Sequence, residues 1–74
     1  MNVETMAEII GRTCHIFEDA LIEFAKEHGE ALTADEAEEI VNDFLAGEAE
    51  DGEKMFEMFR SCLKVVIRGE ILKS

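Results

Sequence analysis

Few side chains of this 74-residue chain could do chemistry: two cysteines, two histidines and 18 carboxylates. Cys14 and Cys62 fall within apolar helical patterns, where a free cysteine behaves as a small hydrophobic residue. Cys14 and His15 would point about 100° apart on a helix, and no Cys-x-x-Cys occurs, so the spacing does not fit a zinc site. We therefore predict two reduced core thiols, with no metal and no cofactor.

The histidines and carboxylates also lack the spacing of a catalytic site. Neither His15 nor His28 has a glutamate three residues before it, so the Glu-x-x-His pattern of di-iron bundles is missing. The acidic stretch around Gly52 does not fit an EF-hand loop, because Met58 occupies the position of the bidentate glutamate. No Gly-rich phosphate loop or nucleophile motif occurs. We predict that the chain is not an enzyme.

The acids are concentrated in one region instead. Residues 31–57 contain ten acids and one lysine, a balance of −9 within a net charge of −11. Asp35, Glu39 and Asp43 recur every four residues and so share one helix face. Such a run is often only a solvated face. Its density exceeds what solubility requires, and like charges at this spacing also destabilise a helix.

We therefore predict that this region binds a partner, either by imitating a nucleic-acid backbone or by docking on the basic groove of a nucleic-acid-handling protein. The net charge disfavours direct binding to nucleic acid or to an anionic membrane, since both would repel the chain. The residues predicted to contact this basic protein partner are Asp35, Glu36, Glu39, Asp43, Glu50, Asp51 and Glu53.

The function predicted from this surface is regulation, by inhibition, of the basic partner. Short acidic helical proteins occur among the inhibitors made by phages and mobile elements, which is a likeness of class and not of motif. The alternative prediction is a structural or adaptor role, in which the apolar helix faces carry the interaction and the acids keep the chain soluble.

Cations collect near the end of the sequence. Residues 58–74 contain four cations and one acid, a balance of +3, and Arg60, Lys64 and Arg68 recur every four residues. Cations late in a helix suit its dipole. The other interpretation is an ion-pair surface that faces acids of the second helix or of a second copy.

Three helices are predicted, at about 5–28, 34–46 and 53–68. Thr5 with Glu8 forms a candidate capping box for the first helix, and Thr33 with Glu36 forms one for the second. Gly29 and Gly47 are expected to end these helices, and Gly69 to end or interrupt the third. The residues predicted to face inward are Val3, Ala7, Ile10, Cys14, Phe17, Leu21, Phe24 and Ala25, then Ala37, Ile40, Val41, Phe44 and Leu45, then Met55, Phe56, Phe59, Cys62, Leu63, Val66 and Ile67. Further residues widen the apolar faces of the first and third helices: Met6, Ile9, Thr13, Ile16 and Ala20, and Met58 and Val65.

These elements predict an all-α fold: a single domain, residues 1–74, in which two shorter helices pack on a long N-terminal one as a three-helix bundle. Short connections favour antiparallel sequential neighbours. The chain has 47% hydrophobic residues and no proline, a composition typical of an ordered helical protein. It has neither a signal-peptide pattern nor an apolar run of about 20 residues, so we expect a cytoplasmic protein that spans no membrane.

The apolar arcs of the first and third helices are wider than one neighbour would cover. A monomer would leave part of these arcs in water as a contiguous patch, which small soluble proteins rarely tolerate. We therefore predict a homodimer. Its expected interface residues are Met6, Ile9, Ile16, Met58 and Val65.

Overall fold

The chain folds into three helices: α1 at Val3–Glu27, α2 at Ala34–Leu45 and α3 at Gly52–Lys73. The computed structural model describes the backbone of residues 2–73 and the side chains of residues 2–70. No strand occurs in that part of the chain, and the helices pack as a three-helix bundle. The predicted all-α bundle is confirmed.

The start of α1 differs from the prediction. Asn2, not Thr5, is the N-cap, and its side-chain oxygen accepts a hydrogen bond from the Thr5 backbone N–H at 2.8 Å. Asn is among the strongest N-cap residues, so α1 begins at Val3, two residues before Thr5. The predicted capping box of Thr5 with Glu8 is therefore wrong.

Two glycines end α1 and α2 as expected. Gly29 and Gly47 both have φ of 77°, in the left-handed region that favours glycine. The Glu30 N–H donates to the Ala25 carbonyl at 2.8 Å, and the Glu48 N–H donates to the Asp43 carbonyl at 2.9 Å. These are the six-residue closures of the Schellman motif, so both helix ends are satisfied by the backbone.

The bounds of α2 and the start of α3 follow the predictions closely, whereas the end of α3 does not. Thr33 and Glu36 form the reciprocal capping box, which confirms the predicted start of α2. In α3 the helix continues past Gly69 to Lys73. A glycine inside a helix costs only about 0.5–1 kcal/mol relative to alanine, which is too little to end α3 when its neighbours favour helix.

α1 and α3 run antiparallel. Met6, Ile9 and Ile10 near the start of α1 line one cavity with Leu63 and Ile67 near the end of α3. At the opposite end, side chains from the last turns of α1 line a second cavity with the first turns of α3. If α2 were antiparallel to both of its neighbours, α1 and α3 would be parallel. The expectation that all sequential helices are antiparallel is therefore wrong for at least one pair.

The core lies at the centre of α1. Phe17 is fully buried, and its ring lies 5.5 Å from that of Phe44 in α2 and 5.6 Å from that of Phe59 in α3, both edge to face. Phe44 and Phe59 also contact each other at 5.5 Å. Val41 and Cys62 complete the buried cluster. One aromatic residue from each helix therefore joins the three elements.

Burial along α1 differs from the predicted pattern. The buried residues are Ile9, Thr13 and Phe17, spaced by four, and the Thr13 hydroxyl donates to the Ile9 carbonyl at 2.7 Å. Several residues predicted to face inward are exposed, because α2 spans only 12 residues and packs over the middle of α1. The exposed large residues of that set are Val3, Ile10, Phe24, Leu45 and Phe56.

Candidate protein-binding surfaces

The acids of α2 lie on a rigid, well-capped helix. Asp35, Glu39 and Asp43 are all exposed along its outer face. The ion pairs among described residues join Arg12 to Glu8 and Glu70, and the His15 ring lies 3.7 Å from a Glu18 carboxylate oxygen. None of them involves an acid of residues 31–57, so the charge of this region is not neutralised within the described chain.

Glu36 differs from the other predicted contact residues because it already has a structural role. Its side-chain Oε1 accepts from the Thr33 backbone N–H at 3.1 Å and from the Thr33 hydroxyl at 2.9 Å. The hydrogen bond from the Thr33 backbone, followed by that from its side chain, lowers the pKa of Glu36. Glu36 therefore holds its negative charge while it caps α2.

The connection from α2 to α3 brings further acids beside α2. Asp43, Glu48, Glu50 and Asp51 surround a shallow recess of about 520 Å³. Apolar side chains of Ile40 and Met55 also line it, together with Ala49. Glu53 lies in the adjoining recess, which also contains Lys54. Sequence spacing had suggested the acids, but not that Ile40 and Met55 lie between them.

An acidic recess with apolar walls has a defined chemical preference. Lysine and arginine bury an apolar stem while they hold a charged head in water or against an acid. A guanidinium can also make two parallel hydrogen bonds to one carboxylate. The recess therefore fits a long basic side chain better than it fits a small neutral ligand.

The basic stripe of α3 makes no ion pair with α2. Arg60, Lys64 and Arg68 are all exposed, and the ion pairs of the described side chains do not include them. The predicted pairing of this stripe with the second helix is therefore wrong. Its pairing with a second copy stays a prediction.

The five residues predicted at a dimer interface have different environments. Ile9 is only 4% exposed, which corrects the expectation that it faces water. Met58 is half-buried against the core cluster. Met6, Ile16 and Val65 are exposed.

An apolar groove lies between the start of α1 and the end of α3. It has a volume of about 220 Å³, and the residues that line it are all apolar: Met6, Ile9, Ile10, Leu63 and Ile67. Sequence periodicity assigned Ile10, Leu63 and Ile67 to the core and so missed this groove. The short length of α2 was the signal that could have indicated it.

The cysteines are shielded from solvent. Cys62 is buried and Cys14 is half-buried, and neither forms a disulfide. Burial raises the pKa of both thiols, and the nearby Glu18 carboxylate raises that of Cys14 further. A raised pKa lowers the thiolate fraction and hence the nucleophilicity, which suits the packing role predicted for both residues.

Other chemistry has little support in the described residues. No group of three or more histidine, cysteine or acidic side chains in that part of the chain is arranged to hold a metal ion. The His28 ring lies 2.9 Å from the Phe24 carbonyl and stacks on the Phe24 ring, at the C-terminal end of α1. This is a local contact at the end of the helix, within one turn of α1.

Within the described residues, none of the helices combines the length and the hydrophobicity needed to cross a bilayer. Comparison of the chain with protein-family models, with curated proteins and with solved structures found no match. The arguments for function therefore come from the two surfaces described above, the acidic recess and the apolar groove.

Proposed function

We propose that this protein is an interaction module that regulates a basic, nucleic-acid-handling protein by binding to its positive surface and inhibiting it. The observation that carries the proposal is the acidic recess, which Asp43, Glu48, Glu50 and Asp51 line together with apolar side chains. Asp35, Glu36, Glu39 and Glu53 extend the negative surface on either side.

The electrostatics of this surface favour fast association. A balance of −9 on residues 31–57 creates a field that steers a positive partner, and the fixed helix spares the cost of ordering a flexible tail. Salt weakens such steering, because the Debye length is about 10 Å at 0.1 M. The partner is inhibited because cations that bind these acids cannot bind nucleic-acid phosphates at the same time.

A defined basic peptide tests the surface directly. Binding of a fluorescent ten-residue arginine peptide is measured by anisotropy at low salt. The triple variant Asp43→Asn, Glu50→Gln, Asp51→Asn should weaken binding at least tenfold, since it removes the charges that hold the guanidinium groups.

The matched control removes three exposed acids of α1 in the variant Asp19→Asn, Glu23→Gln, Glu27→Gln. Its net charge changes by the same amount, so its affinity should fall less than threefold. Equal losses in the two variants would mean that the peptide senses net charge only, and the recess would not be the binding site.

The regulatory part of the proposal needs the partner itself. Immobilised wild-type protein should capture basic proteins from a lysate of its own host, and added nucleic acid should release them. The triple recess variant should capture far less of the same proteins. Capture that is indifferent to nucleic acid would contradict inhibition by occupation of a nucleic-acid surface.

The second candidate function is assembly through apolar faces. It is favoured by the number of large apolar side chains that the single chain exposes, since soluble monomers rarely expose contiguous apolar patches. Those side chains are Val3, Met6, Ile10, Ile16, Phe24, Leu45, Phe56 and Val65. Under this alternative the recess variant would bind its partner normally, and Ile16→Ser would be the damaging change.

A further inference from the structure

The apolar groove between α1 and α3 is only partly filled by α2. Phe44 of α2 packs against Phe17 and Phe59, at the middle of the contact between α1 and α3. Further towards the start of α1, the described residues that line the apolar groove belong to α1 and α3: Met6, Ile9, Ile10, Leu63 and Ile67. A 12-residue α2 is about 18 Å long and a 25-residue α1 about 37 Å, so α2 cannot cover both regions.

The molecule also exposes more surface than a self-sufficient monomer of its mass. Its accessible area is 5753 Å², whereas a folded monomer of 8.3 kDa has about 4,600 Å². Its radius of gyration is 12.9 Å, against about 11.3 Å for a compact domain of this length. The excess of roughly 1,200 Å² exceeds the ~800 Å² that each partner buries in a standard interface.

We infer that the groove is occupied by a second copy of this chain, which lays the first half of its α1 against the first copy's groove and α3. That half of α1 is itself an exposed apolar segment, with Ile10 45% and Val3 81% exposed. The contact is reciprocal if a two-fold axis runs along the groove, because each α1 then lies over the other copy's α3.

Charge favours a second copy at this place. Residues 2–12 of α1 and 60–70 of α3 together carry +1, against −11 for the whole chain, so two chains repel least here. Across the two-fold axis, Glu4 of one copy lies at the same end as Lys64 and Arg68 of the other. The exposed basic stripe of α3, which has no ion pair with α2, thereby gains acidic neighbours.

Sedimentation equilibrium tests the inference. The wild type should have twice the 8.3 kDa of one chain at micromolar concentration. Ile10→Asp should dissociate it, because the carboxylate would be buried against Leu63 and Ile67 of either copy. Val65→Asp is the matched control: Val65 is 62% exposed but lies outside the groove, so this variant should remain a dimer with the same helix content.

A charge exchange tests the predicted pairing. Lys64→Glu with Arg68→Glu should raise the dissociation constant at least tenfold, and Glu4→Lys in the same chain should restore part of the association, while Glu8 is kept because it pairs with Arg12. A monomeric wild type, a dimer that survives Ile10→Asp, a monomeric Val65→Asp, or a charge exchange that fails to restore association would each overturn the inference. Ile10→Asp should keep its affinity for the arginine peptide, so failure here is distinguishable from failure of the proposed function.

Discussion

At the scale of single residues, Glu36 shows how one acid can serve both the fold and the surface. It caps α2 through Thr33 and contributes negative charge beside Asp35 and Glu39. The side chains of the other predicted contact acids make no hydrogen bond or ion pair among the described residues. They are therefore free to contact a partner without loss of stability, whereas Glu36 is not.

The capping box predicts a pH dependence of stability. Its hydrogen bonds lower the folded-state pKa of Glu36 below the ordinary value of 4.5. The group therefore stabilises the fold at pH above 4.5, and this contribution is lost as the pH falls through the lowered folded-state pKa. Urea unfolding at a series of pH values should show a decline of wild-type stability relative to that of Glu36→Gln in this window, because the variant lacks the titrating group.

Two further variants control this experiment. Glu38→Gln removes a neighbouring acid that is outside the capping box and should keep the wild-type decline. Thr33→Ala removes the cap itself and should lower the free energy of unfolding by about 1 kcal/mol at neutral pH. A Glu36→Gln protein with an unchanged decline would show that the capping box does not link α2 to pH.

At the scale of the elements, the glycines of this chain divide by conformation. A Cβ at Gly11, inside α1, would meet no atom within 4 Å, and its φ is ordinary. Gly11→Ala should therefore stabilise the protein by about 0.5–1 kcal/mol. Gly47→Ala should destabilise it instead, because its φ of 77° strains any residue with a Cβ. Thermal unfolding measured by circular dichroism compares the two, and a stabilised Gly47→Ala would contradict the assigned helix end.

The helices themselves could be predicted from sequence because their start and stop signals are local. The capping box at Thr33 and the glycines at 29 and 47 were identified correctly for this reason. Asn2 was missed as a cap because Asn2 and Thr5 are both suitable N-cap residues. They lie three positions apart, so the sequence alone does not decide between them. Gly69 does not end α3, because the helix-propensity cost of one glycine is small compared with the free energy that α3 gains from packing.

Burial and the relative directions of the helices were harder to predict, because they depend on contacts between elements that are far apart in the sequence. The apolar arc of α1 is about half a turn wide, so periodicity alone could not show that Ile9 and Thr13 are buried while Ile10 and Phe24 are exposed. That choice depends on where α2 and α3 lie. The acidic face was visible in the sequence, but its recess was not, because it requires the fold of the connection around Glu50.

At the scale of the whole molecule, charge works against the folded state. A net charge of −11 repels itself when the chain is compact, and only a few ion pairs oppose it among the described residues. Raising NaCl from about 10 mM to about 300 mM should screen this repulsion and raise Tm by roughly 4–8 °C, the shift produced by about 1 kcal/mol in a domain of this size.

The charge of α1 provides the control at a fixed protein concentration. The variant Asp19→Asn, Glu23→Gln, Glu27→Gln lowers the net charge from −11 to −8. It should melt higher than the wild type at low salt and respond less to added NaCl. A Tm that falls with salt would mean that ion pairs such as Arg12 with Glu70 contribute more than self-repulsion.

The antiparallel pairing of α1 with α3 also constrains how the chain folds. Phe17 reaches Phe59 only when the intervening segment, including all of α2, closes as a loop. During synthesis, α1 and α2 can form as helices, but Phe17 lacks one of its two aromatic neighbours until α3 leaves the ribosome. A nascent chain that lacks α3 should therefore be protease-sensitive, and protection should arise in one step once α3 is available. The contact of the first helix with the last makes folding a single, late and cooperative event.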